Sequence, residues 1–120
     1  LISSVLFTLL HVGNSGLTPL SLVNLFLFGV AMALYLLKTD TVWGVAGIHG
    51  AWNFAQGNLF GVLVSGQSSG TSIMKFTPQG NQDWLSGGAF GIEGSIMTSL
   101  VLLLLIFYLA HQLKKENERM

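Results

Sequence analysis

Apolar residues run along this chain in long blocks rather than in alternation. A helix needs about 20 of them to cross a hydrocarbon core roughly 30 Å thick. Four blocks reach or approach that length, at residues 1–11, 20–37, 42–64 and 94–111. Between the first two lie Gly13, Asn14, Ser15 and Gly16, then Pro19, which together break a helix. Lys38, Thr39 and Asp40 form a polar link short enough to join antiparallel helices only. The pattern predicts an all-α, polytopic transmembrane helix bundle with about four transmembrane helices. Residues 65–93, rich in Gly, Ser, Gln and Asn, read as an extramembrane loop, with Phe76, Trp84 and Phe90 set against the membrane surface. Residues 112–120 read as a polar tail.

Composition sharpens this picture. Hydrophobic residues make up 51% and charged residues 8%, against about 25% charged in a soluble domain. Such a chain cannot cover a water-facing surface, so an ordinary soluble enzyme and a disordered tail are excluded. Five basic residues balance five acidic ones, leaving no basic field for nucleic acid. Cysteine is absent, which removes thiolate catalysis and cysteine zinc sites. The chain opens at Leu1 inside an apolar block, as expected of a piece of a longer protein.

Basic residues also predict orientation. If four helices alternate, Lys38, Lys114, Lys115 and Arg119 share one side and Lys75 takes the other. The C-terminus is then cytoplasmic and the long loop external. Small residues at close-packing spacing (Gly29 with Ala33, Gly47 with Ala51, Gly57 with Gly61) predict that the third block is a packed inner helix. The aliphatic run 100–106 makes the fourth peripheral.

Polar groups inside apolar helices are costly and default to function. His11 closes the first block, and His49 and Asn53 sit four apart on one face of the third. An imidazole exchanges protons near neutral pH, and an amide donates a hydrogen bond without charge. The three suit a hydrolytic or a metal site; satisfied structural polar residues are the alternative reading. At about 1.5 Å per residue, His49 and Asn53 lie roughly 10 and 16 Å inside the third helix. For His11 to meet them the first helix must stop mid-membrane, which predicts a hydrated chamber near the midplane. Glu93 reads as an acid complementing the dipole at the start of the fourth helix, so that replacing it should change little. Asn24 and Gln56 read as interhelical hydrogen-bonding residues, Trp52 and Phe54 as packing, and His111 as solvated. A transporter subunit finds little support, since no broken-helix repeat is visible.

At these residues the chain resembles a known family. Phe7-Thr8-Leu9-Leu10-His11 matches the Phe-x-x-x-His motif of the CAAX protease and bacteriocin-processing (CPBP, or Abi) family. His49-Gly50-Ala51-Trp52-Asn53 matches its His-x-x-x-Asn motif, with Trp43 upstream. The run from Gly87 through Phe90 and Glu93 to Gly94 is similar to bacterial members. The resemblance implies that residues 1–120 are the C-terminal part of one membrane protease domain. It implies an intramembrane endopeptidase of the CAAX prenyl protease type II kind, hydrolysing membrane-presented peptide bonds with glutamate- and histidine-activated water. His11 would assist that water, while His49 and Asn53 would polarise the scissile carbonyl and hold the oxyanion. The family's Glu-Glu-x-x-x-Arg motif is missing, because no acidic residue precedes Asp40, so these 120 residues alone are expected to be inactive. On the family's metalloprotease description, His11 and His49 would hold a divalent metal such as zinc; no cofactor is otherwise assigned. The alternative function is a non-catalytic membrane immunity or partner-binding protein of the Abi type. The expected partners are the lipid bilayer and a membrane-associated peptide or protein substrate, with no nucleic acid. The expected location is the bacterial plasma membrane, and oligomeric state is not readable from these residues.

Overall fold

The computed structural model describes residues 1–78 and 80–119. Gln79, within the expected loop 65–93, and Met120, at the end of the expected tail 112–120, lie outside the described residues. The described chain is helical: α1 (Ile2–Leu9), α2 (Pro19–Thr39), α3 (Val42–Phe54), α4 (Asp83–Ser86) and α5 (Ile96–Asn117). A π-helical turn, Ala55–Leu59, prolongs α3, and two 3₁₀ turns, Gly88–Phe90 and Ile92–Gly94, lead into α5. Among the described residues, strand-like pairing is limited to one isolated bridge, Val64 with Gln67.

Each long helix starts where its sequence supplies a cap. Thr18 accepts from the backbone N–H of Ser21 at 3.1 Å while Ser21 Oγ accepts from that of Thr18 at 2.8 Å. Pro19 follows at the first helical position, where its missing N–H costs nothing. Ser95 caps α5 by accepting from the N–H of Thr98 at 3.2 Å. At the far end of α2, Asp40 turns the chain in the left-handed region (φ 51°), a conformation Asp tolerates better than most residues.

Two helices, α2 and α5, are long and apolar enough to cross a membrane. The expected four transmembrane helices are therefore represented by two candidate spans and two shorter apolar helices. With 13 residues in α3, a rise of about 1.5 Å per residue leaves that helix short of the bilayer core, while α1 is described from Ile2 to Leu9. The first block ends early because residues 10–16 turn rather than continue, and the third because the π turn and Gly61 (φ 68°) redirect it. The fourth block runs longer than expected: α5 continues through the polar residues to Asn117. Its last turns are tied to the end of α2 by an ion pair between Lys38 and Glu116.

The core sits where α2 crosses α5, built on Ala31, Met32 and Leu102, with Phe28, Val45 and Leu105 packed around it. Helix α1 lies against α2 at its smallest residues. A Cβ on Gly29 would stand 2.8 Å from Ser4 Cα, so glycine there sets how near α1 approaches. The expectation that the third helix is a packed inner one is met only at its end, where Gln56 and Gly57 of the π turn are buried. No residue of α3 is buried, and a Cβ on Gly47 or Gly50 would meet nothing within 4 Å. Among the described residues no helix covers that small-residue face.

Candidate active site

The end of α1 places His11. The backbone N–H of His11 bonds to Thr8 O at 3.0 Å rather than one residue further back. This tightening leaves the Phe7 carbonyl without its helical donor, an orphan of the kind every helix end carries. His11 Nδ1 fills the place, 2.7 Å from Phe7 O. A carbonyl oxygen only accepts, so Nδ1 bears a proton, and in the neutral imidazole Nε2 is the acceptor. The four-residue spacing also brings the two rings together, 4.5 Å between centroids and tilted by 47°.

Phe7 then joins α1 to α3. Its ring lies 5.6 Å from that of His49, edge to face. Phe28 of α2 contacts the same imidazole at 5.4 Å and Phe7 at 5.7 Å. Two aromatic rings thus bracket His49, and one of them also carries His11. The Phe-x-x-x-His spacing explains the contact within α1, but the use of Phe28 was not legible. It is one apolar residue among many in its block, and its role depends on how α2 crosses α1.

Asn53, one turn beyond His49, is half-buried, and its Oδ1 is buried with no hydrogen-bond partner. A polar atom left so costs about 1–3 kcal/mol. Gln56 and Ser4 also each have a buried oxygen without a partner.

A cavity of about 260 Å³ opens between α2, α3 and α5. Its walls are mostly apolar, among them Leu25, Phe28, Met32, Ile48 and Leu102, and His49 and Glu93 face it. His11 and Asn53 do not line it. The hydrated chamber expected to join all three residues is thus not this cavity. His49 borders it, while His11 reaches His49 only through Phe7.

Glu93 differs most from its expected part. It lies in the 3₁₀ turn before the Ser95 cap, not in the first turn of α5. Its carboxylate accepts from the Ser65 N–H at 2.7 Å, from Ser65 Oγ at 2.6 Å and from the Trp52 indole at 3.0 Å. An acid within an apolar, glycine-rich stretch was the available sign, but its partners come from distant segments. Trp52 is accordingly a hydrogen-bond donor, 41% exposed, rather than packing alone. Asn24 does bond between elements: its amide donates to Glu93 O and Ser95 O at 2.7 and 2.8 Å and accepts from Ser99 Oγ at 2.6 Å. Gln56 bonds locally instead, to Leu63 O at 2.6 Å.

The donor set can be weighed against a zinc ion. Catalytic zinc takes three protein ligands, and the described residues contain no cluster of three His, Cys, Asp or Glu placed to hold a metal. With Nδ1 of His11 engaged by Phe7, the two histidines offer at most a pair. The residues of this chain do not by themselves fit the group.

Residues 1–55 match the family model described as type II CAAX prenyl endopeptidase Rce1-like. The match spans both the Phe7–His11 and the His49–Asn53 motifs, and it bears out the resemblance to the CPBP family. Against the curated proteins and against the solved structures, nothing matches.

Proposed function

We propose that this chain is part of an intramembrane endopeptidase that cuts peptide bonds presented at the membrane, with His11, His49 and Asn53 as its contribution to the site. The observation that carries the reading is the Phe7 ring, which contacts both imidazoles and so holds two proton-exchanging groups from different helices in one neighbourhood. His11, with Nε2 unprotonated, accepts a proton from the attacking water alongside a carboxylate of the Glu-Glu-x-x-x-Arg type supplied from outside these 120 residues. His49 polarises the carbonyl under attack. The Asn53 amide, one turn further on, donates to the oxygen on which negative charge develops. No step runs through a metal.

In this reading α1 and α3 lie at membrane depth beside the spans α2 and α5, with the C-terminus cytoplasmic. The residues 1–120 alone are inactive for want of the carboxylate. A non-catalytic partner-binding role would leave the same helices in place without requiring the Nε2 of His11 to stay free. The two are separated by reconstituting the full-length protein in liposomes with a lipid-anchored peptide and following cleavage. Turnover supports the endopeptidase; stoichiometric binding with the peptide left intact supports the partner-binding role.

A further inference from the structure

From these contacts we infer that Glu93 is a positioning residue for the proposed site: its carboxylate clasps Trp52, and through Trp52 it sets the orientation of the helix that carries His49 and Asn53. The inference rests on the endopeptidase reading. Helix α3 has no fully buried residue; Val45 packs on the core and His49 between Phe7 and Phe28, and both precede Trp52, whose hydrogen bond ties down the C-terminal turn of the helix. Trp52 lies three residues after His49 and directly before Asn53. Trp52 and His49 both face the α2–α3–α5 cavity, as does Glu93. The 3.0 Å bond from the Trp52 indole to Glu93 therefore joins α3 to the chain entering α5 at the level of the two site residues.

Glu93 itself is firmly held. Ser65 is one of two non-glycine residues with positive φ among the described residues (46°). Such a conformation persists where neighbours over-determine it, and here both the N–H and the hydroxyl of Ser65 point at one Glu93 oxygen. Behind it the backbones nearly touch: a Cβ on Gly91 would stand 2.0 Å from Leu63 O, and Gly66 donates to Phe90 O at 2.8 Å. Asn24 of α2 fixes the same turn through the Glu93 carbonyl. Three donors converge on the carboxylate, which suits an acceptor-only group. Glutamine offers one acceptor oxygen, and its NH₂ would confront a donor.

The test is a double-mutant cycle on the full-length protein, with Glu93→Gln, Trp52→Phe and the pair, read as kcat and KM for lipid-anchored peptide cleavage. His49→Ala serves as reference, and the Trp52 indole N–H resonance is recorded in wild type and Glu93→Gln. Misplacing reacting groups by about 1 Å costs on the order of 10²-fold. Each single variant is therefore expected to lose about 10- to 100-fold in kcat with KM unchanged. The double variant should be no worse than the poorer single one, and the indole resonance should shift on loss of the carboxylate. Trp52→Phe, which deletes only the indole nitrogen and its ring, carries the test if Glu93→Gln fails to fold. Unchanged kcat in both singles beside an inactive His49→Ala overturns the positioning role and leaves the site reading standing. So do additive losses. Cleavage retained in His49→Ala overturns the site reading and this inference with it.

Discussion

Asn24 shows how one side chain can hold the bundle together. Only 2% exposed, it donates to two carbonyls at the entrance of α5 and accepts from Ser99. Asn24→Ala would leave the Glu93 carbonyl without its donor, at about 1–3 kcal/mol, while Ser95 O keeps the Ser99 N–H. Denaturant unfolding in detergent should show a loss at the upper part of that range, with a smaller loss for Ser99→Ala. An interhelical role for Asn24 was readable from its place in an uncharged apolar block, because a polar group there needs a partner. The identity of that partner was not, since it lies some seventy positions away. The same limit applies to Glu93. Its position before a helix suggested a dipole effect, whereas its energetics come from Ser65 and Trp52, which sequence distance conceals.

Among the elements, the crossing of α1 over α2 matters most for the proposed site, because α1 carries Phe7 and leads into the turn that holds His11. Gly29 sets that crossing: the 2.8 Å clearance to Ser4 leaves no room for a side chain. Gly29→Val should push α1 outward, destabilise the fold by about 1–3 kcal/mol and reduce cleavage by pulling Phe7 away from His49. Unfolding and turnover measured together check this, and a stable, fully active variant would contradict it. The small residues of the second block thus do pack as their spacing suggests. In the third block Gly47 faces open space, whereas Gly57 and Gly61 are closely approached, by Ser69 and by the Met74 carbonyl. Spacing shows that a helix face is suited to close approach, not which neighbour approaches it. The length of α5 was likewise underread, since its polar end gains support from Lys38 of another helix.

For the whole molecule, the apolar blocks made helicity and membrane character legible, while the number of spans was not: an apolar run can end in a turn before it has crossed. The basic residues predict that a reporter placed after Met120 is cytoplasmic and a tag inserted at Ser69 is external, checked by labelling from each side of the membrane. Reversed labelling would overturn the orientation. The motifs located His11, His49 and Asn53 in the sequence; the aromatic contacts that bring the two histidines onto Phe7 needed the fold. The account stands on those histidines and Asn53 performing hydrolysis, and the most direct measurement is single-turnover cleavage of a lipid-anchored peptide by the full-length protein in liposomes. Asn53→Ala should slow it by about 10²–10³-fold with folding intact, His49→Ala by at least as much, and His11→Ala should abolish it. Cleavage at the wild-type rate by folded His49→Ala or His11→Ala protein would contradict the account.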